Sequence, residues 1–262
     1  LEEIEHALIA ADLGMAMTSQ IVTAVKLAYE SQGTAGLDYL AIARAEMGRF
    51  EDQKVLLVER FDRRLAPGGR WWLRLPQEDL CQAHGLSPEA RYEVDGGPGV
   101  PAIMQLLSAS ESADSDRHAF FKAQMLFWLL AATDGHAKNF SLHLGPRGSF
   151  RMTPLYDVMS VYPVLGRGRN QIDAHQASLA MAVVSKNRHY ILHEIQPRHW
   201  LAMGRRCGVD ARAIAGELCT RAPAAITTVA AMLPSDFPAA VSEPIFAGLA
   251  KAAGALNAGL SP

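Results

Sequence analysis

The spacing of apolar and polar positions changes several times along the chain, and each change marks an element. Over 2–13, EEIEHALIAADL, apolar residues recur at helical spacing, with Gly14 placed to close the helix. A second helical pattern covers 21–30 and ends at the breakers of SQGTAG, and 37–47 predicts a third helix. KVLLVERF (54–61) is a short apolar, β-branched run and predicts a strand. DRRLAPGGR follows as a turn and WWLRLP (71–76) as a second strand, so the two strands predict a hairpin.

Beyond Gln77 the pattern becomes mostly helical. QEDLCQAHG predicts a helix closed by Gly85, and EVDGGPGVP a loop of tight turns. Helices are predicted over 102–110 and 116–132, the second strongly apolar in its latter half. FSLHL and FRMTPLY flank GPRG, which is a hairpin signal. The stretch 173–259 is Ala-rich and reads as helical, punctuated by Pro197, Pro223, Pro234, Pro238 and Pro244. There is no internal repeat and no low-complexity tail.

Composition narrows the class. The 262 residues are 49% hydrophobic and 20% charged, a soluble globular balance long enough for one large domain or two lobes around a cleft. A net charge of -2 gives no global reason to expect nucleic-acid or membrane binding. Cys81, Cys207 and Cys219 are too scattered for a disulfide framework, which fits a reducing cytoplasm. The longest apolar run, around 125–132, falls far short of the ~20 residues of a membrane span. The opening LEEIE is acidic where a signal peptide would be basic.

The densest chemistry lies in TDGHAKNF (133–140), directly after the apolar run AQMLFWLLAA. Asp and Asn are frequent in turns, where their side chains cap backbone groups, so D-x-x-x-x-N alone says little. Here the pair Asp134 and Asn139 is preceded by an apolar helix and followed by a hairpin, which delivers Asp157 in LYDVMS. Phosphoryl transfer from ATP needs these parts: a carboxylate for the attacking hydroxyl, then a carboxamide and a second carboxylate for Mg²⁺. Protein kinases use the same order and spacing, although the usual HRD and DFG letters are absent here. Lys138 could offset charge on the transferring phosphate, and Tyr156 could pack beside Asp157. His136 and His143 lack the HExxH or Cys partners of a zinc site, which leaves His136 a structural or nucleotide-contacting role.

VERFDRR, LRLPQEDLCQ, YEVDGGPG, ATDGHAKNFS and TPLYDVMS, continued by YPVLG, QPRHWLA and LPSDFP, together resemble the HipA family of bacterial serine/threonine kinase toxins. The resemblance implies an α+β, protein-kinase-like fold. A small partial N-lobe with strands would cover 1–62 and end in a hinge strand. A large, mostly helical C-lobe over 63–262 would carry the catalytic loop and the metal-binding hairpin. It also implies an ATP-dependent serine/threonine protein kinase, the toxin of a type II toxin–antitoxin pair in the bacterial cytoplasm. Such a kinase inhibits translation by phosphorylating a protein such as glutamyl-tRNA synthetase, which yields dormant, drug-tolerant cells.

Carried over by position, Asp134 would be the catalytic base, and Asn139 and Asp157 the Mg²⁺ ligands. His136, Ala137, Lys138 and Tyr156 would lie along the ATP phosphates, and Glu59, Arg60 and Phe61 would hold the adenine. The implied partners are a helix-turn-helix antitoxin, the protein substrate and operator DNA. Arg205, in RHWLAMGRRCG, is the residue best placed for DNA, although Arg205 and Arg206 read equally well as a solvated basic helix face.

The sequence departs from the family in one respect. Neither the phosphate loop, roughly S-x-A-G-A-Q-E-K, nor the lysine of an IKLP-like strand is found. SQGTAG runs into the helical pattern LDYLAIAR, Lys26 lies in a helical pattern, and Ser31 cannot be given the role of the family's autophosphorylated serine. The chain also does not begin with Met. Three expectations follow: a subset of a longer chain, a short kinase completed by another subunit, or a pseudokinase that binds antitoxin and operator DNA without turnover. A small-molecule kinase would share the Asp/Asn/Asp logic, but QEDLCQ and GGPG argue against it.

Overall fold

The structure is a computed structural model and describes residues 42–260. The helices expected over 2–13 and 21–30, the breaker SQGTAG and the first part of 37–47 lie outside the described residues. Where 37–47 is described, it is corrected to extended chain, because strand β1 (Ala45–Phe50) pairs antiparallel with β2 (Gln53–Val58) from Ala45↔Val58 to Phe50↔Gln53. Ala, Glu and Met favour helices singly, yet an adjacent run of Val and Leu offers them a ladder, and strand formation depends on such partners.

KVLLVERF does contain a strand, but it ends at Val58 and its partner is β1 rather than WWLRLP. The Glu59 amide donates to the Arg44 carbonyl at 2.8 Å, so Glu59, Arg60 and Phe61 follow the strand instead of forming it. WWLRLP supplies β4 (Trp72–Arg74), which pairs with β3 (Arg63–Leu65) from inside the expected turn. Gly68 and Gly69, both at positive φ, bend the chain between them. In each case the nearer partner wins, since closing the shorter loop costs less entropy. Asp62 marks the junction. It is buried, accepts both Arg60 nitrogens at 2.7 and 2.6 Å, and also accepts from Arg63. The Arg60 hydrogen bonds are the main reason its carboxyl falls to about 2.

QEDLCQAHG is corrected from a single helix to a strand followed by a helix. β5 (Gln77–Asp79) runs into α1 (Leu80–Ala83), and Asp79 and Gln82 form a capping box at 2.9 and 3.0 Å. The expected FSLHL/FRMTPLY hairpin is present as β6 (Ser141–Leu144) and β7 (Phe150–Met152), with Leu142 opposite Met152. β5 pairs with β6 to complete a three-stranded sheet.

The helices α2 (Val100–Leu106) and α3 (Ala113–Leu129) fall close to their predicted places. α3 is buried along much of its length, through Phe120, Phe121, Met125, Phe127 and Leu129, as befits a helix inside a large core. Its buried Asp116 accepts the Ser110 hydroxyl and the Met152 amide, the latter at 2.9 Å, and so ties β7 to α3.

The helical reading of 173–259 is corrected over two strands, β8 (Ser178–Val184) and β9 (Arg188–Ile191), which form an antiparallel pair. All of β8 after Ser178 is buried, so the period-2 signal is lost. Helices α4 (Pro197–Cys207), α5 (Ala211–Met232) and α6 (Ala239–Ala258) follow. Pro197 opens α4, where its missing N–H costs nothing, while Pro223 and Pro244 lie inside α5 and α6. Trp200 of α4 packs edge-on to Phe121 of α3 with ring centroids 6.0 Å apart. No helix among the described residues is long and apolar enough to cross a membrane.

Candidate active site

α3 delivers the polar loop. After the helix, Ala131 adopts φ 49 and reverses the chain, and the Val161 amide secures that turn by donating to the Ala131 carbonyl at 3.0 Å. Two donors then converge on the Asp134 carbonyl: the Asn139 side-chain amide at 2.7 Å and the His136 amide at 2.8 Å. A short turn, Ala137–Asn139, leads straight into β6. The loop is therefore closed on itself at the backbone, and the helix beneath it sets its position.

The Asp134 carboxylate accepts a hydrogen bond from the Tyr92 hydroxyl. The sequence alone assigns Tyr92 no role: it lies 42 positions away and stands out only as the first residue of YEVDGGPG. Burial, the hydrogen bond to Asp134 and that residue's charge all push the Tyr92 phenol well above its ordinary value. Its ring meets His136 edge-on at 4.9 Å, and the Arg91 guanidinium lies 5.3 Å above it.

Asp157 arrives from the far end of the hairpin at φ 56, a left-handed conformation that Asp tolerates better than most side chains. It is exposed to solvent, yet the protein packed around it raises its carboxyl, and the Asp134 charge raises it further. The two carboxylates thus sense each other. Tyr156 fastens the hairpin to the loop. Its hydroxyl donates to the Lys138 carbonyl at 2.7 Å and shares a hydrogen bond with Ser141 Oγ at 2.6 Å, and burial pushes it up to about 12. Phe61 packs against Tyr156 at 5.6 Å and against His143 at 5.8 Å.

Asp134, His136, Ala137, Lys138, Asn139, Tyr156, Asp157 and Phe61 are thereby brought to one region. Lys138 points its ammonium to Asp79, 2.6 Å away. Arg60 is engaged by Asp62, and the Glu59 amide by Arg44. Arg205 stands exposed in the last turn of α4.

Among the described residues no three His, Cys, Asp or Glu side chains converge on a metal position. Mg²⁺ does not require such a cage, since one or two protein oxygens plus phosphates and waters complete its shell. With its Nδ2 committed to Asp134, Asn139 can offer Oδ1, and Asp157 offers a carboxylate. The buried His136 Nδ1 has no hydrogen-bond partner among the described residues. Burial lowers the His136 pKa, which favours a neutral ring that can donate or accept. The donor set fits a magnesium nucleotide.

The chain matches the HipA-like C-terminal domain over residues 26–226. The serine/threonine-protein kinase toxin HipA of Shewanella oneidensis is 33% identical over 153 residues, 54% of this chain and 33% of that protein. The match therefore spans about a third of that relative's length. Among solved structures, the Shewanella oneidensis complex of HipA, HipB and operator DNA superposes with a TM-score of 0.76 at 21% identity, covering 94% of this chain and 56% of that one. The Helicobacter pylori proinflammatory kinase CtkA superposes with a TM-score of 0.61 at 6% identity, covering 94% and 85%. These neighbours establish the fold as α+β and protein-kinase-like.

Proposed function

We propose, because the chain belongs to the HipA-like C-terminal domain family, that it performs Mg-ATP-dependent phosphorylation of a protein serine or threonine as part of a toxin kinase. The observation that carries this reading is the joining of Asp134, Asn139 and Asp157. A hydrogen bond from the Asn139 side-chain amide to the Asp134 carbonyl closes the loop between the first two, and the hairpin returns the third to within reach of the Asp134 charge. Mg-ATP, when bound, would supply the transferable phosphoryl group. Asn139 and Asp157 would hold the ion, and His136 and the Ala137–Asn139 turn would lie along the phosphates. Asp134 would orient the acceptor hydroxyl and take its proton, a role that suits a carboxylate on a loop whose backbone is fixed. Phe61, beside Tyr156, would flank the nucleotide at its other end.

The finer assignment extends this reading. The solved neighbour named HipA sits in a complex with HipB and operator DNA. By analogy, this protein would pair with a helix-turn-helix antitoxin in the bacterial cytoplasm and approach operator DNA through the exposed face of α4 that carries Arg205. Its substrate would be a protein of translation such as glutamyl-tRNA synthetase.

The test uses the full-length protein with γ-labelled ATP, Mg²⁺ and glutamyl-tRNA synthetase. Label should pass to the synthetase, and Asp134→Ala should abolish transfer while Mg-ATP still binds. Transfer to casein but not to the synthetase would remove the substrate assignment and keep the kinase. Mg-ATP binding by calorimetry with no transfer to either protein, nor to the kinase itself, would replace the catalytic reading with a pseudokinase.

A further inference from the structure

Tyr92 is bound at every side. The turn that follows folds back onto its carbonyl, which accepts from the Gly97 amide at 2.8 Å and the Asp95 amide at 3.1 Å. A Cβ at Gly97 would lie 2.7 Å from that same carbonyl, so the turn closes only around glycine. The next residue, Glu93, is anchored elsewhere. Its buried carboxylate accepts the Ala182 amide of β8 at 2.7 Å and pairs with Arg188 of β9 at 3.4 Å. Gly99 is confined in turn, since a Cβ there would stand 2.4 Å from the Glu93 carboxylate. The stretch YEVDGGPG is thus a bracket: one end seats on β8–β9, and the other presents a phenol to the catalytic loop.

A carboxylate that serves as base needs one oxygen facing the acceptor hydroxyl. Backbone bonds hold the Asp134 carbonyl but leave its χ angles unrestrained. The Tyr92 hydroxyl restrains them by engaging Oδ1, which leaves Oδ2 for the hydroxyl. We infer that Tyr92 is the positioning residue for Asp134, acting through the base rather than on the nucleotide, and that the YEVDGGPG bracket exists to place it. This inference rests on the kinase reading above.

The experiment compares full-length wild type, Tyr92→Phe, Asp134→Asn and the double variant. Casein serves as acceptor and γ-labelled Mg-ATP as donor. Tyr92→Phe keeps the ring that meets His136 and Arg91 and removes only the hydroxyl. It should lower kcat about 10- to 100-fold, as loss of orientation does, with KM for ATP unchanged. Calorimetric affinity for Mg-ATP and the Tm should stay at wild-type values. In the Asp134→Asn background, whose residual rate no longer depends on a base, Tyr92→Phe should cost nothing further.

A Tyr92→Phe enzyme with wild-type kcat would overturn the inference and leave the kinase reading intact. So would a parallel fall of Tm, ATP affinity and kcat, which would make the hydroxyl a structural bond. An equal further loss in the double variant would overturn it too, because Tyr92 would then act independently of Asp134. A wild type that binds Mg-ATP but transfers no phosphate would remove the kinase reading and Tyr92's role with it.

Discussion

Replacing Gly135 by alanine should damage the loop although no ligand is touched. The φ of Gly135 is unremarkable; its constraint is space. A Cβ there would lie 2.4 Å from Cδ2 and 2.5 Å from Cε2 of Phe127. Carbons rest comfortably at about 3.5–4.0 Å, so ring or loop must retreat by about 1 Å. The ring has little room, because Phe127 is 3% exposed and leans on Phe140 at 5.7 Å, which meets Phe120 at 5.0 Å. Overpacking of this kind costs about 1–3 kcal/mol. At about 2–4 °C per kcal/mol for a chain of this size, Tm should fall by roughly 2–12 °C.

If the loop yields instead, Asp134 and His136 shift with it, and a displacement of about 1 Å can cost about 100-fold in transfer rate. Scanning fluorimetry and phosphate transfer, read together, capture both routes of relief. Gly216→Ala in α5 is the control, since its Cβ would meet nothing within 4 Å and should stabilise by about 0.4–1 kcal/mol. A Gly135→Ala protein with wild-type Tm and wild-type transfer would refute the packing argument.

Three further outcomes are expected. Asp116→Ala leaves the Met152 amide without its buried acceptor, while the Ser110 hydroxyl keeps the Phe150 carbonyl, so the urea midpoint should drop by the equivalent of about 1–3 kcal/mol; an unchanged midpoint would show that the β7–α3 tie carries nothing. The Asp62 carboxyl is held at about 2, below its ordinary 3.8, so its contribution to stability is present above pH 4 and fades as pH falls toward 2. The Tm gap between wild type and Asp62→Asn should accordingly be widest near neutrality and close in acid. Asp157→Asn should lose the Tm increase that Mg-ATP gives the wild type, with EDTA-treated nucleotide as the reference; an equal increase in both proteins would remove Asp157 from the ion site.

Local turns and hairpins were legible in the sequence; pairing at a distance was not. The loop–hairpin unit could be read because GPRG is a turn between alternating runs, and because Asp134 and Asn139 are only five residues apart. The strand β8 was hidden because SLAMAVV is buried after its first residue and rich in helix-favouring Ala. The strand β1 was hidden by Ala, Glu and Met, whose single-residue preferences yield to a neighbouring strand. Strand β3 lay unseen inside an expected turn, since three residues with two arginines carry no period. Tyr92 had no periodic signal at all, because its partner Asp134 is brought to it only when α3 and the glycine turn are both in place. Lys138 was recognisable as a cation near the site, but its pairing with Asp79 depends on the β5–β6 register.

The buttoning of Tyr156 onto Lys138 and Ser141 has a consequence for selectivity among cations. Asn139 and Asp157 lie eighteen positions apart, and the ladder of β6 and β7 together with that hydroxyl closes the segment between them. Closing such a segment from an open chain would cost roughly 2–3 kcal/mol, and folding has already met that cost before any ion arrives. Under the proposed magnesium reading, the two oxygens would form a chelate of fixed bite. A rigid bite favours a small ion with strict octahedral demands over a larger, more tolerant one such as Ca²⁺. Loosening the hairpin at its GPRG tip would then relax the proposed preference for magnesium, read as the ratio of Mg²⁺ to Ca²⁺ affinity, without altering Asn139 or Asp157.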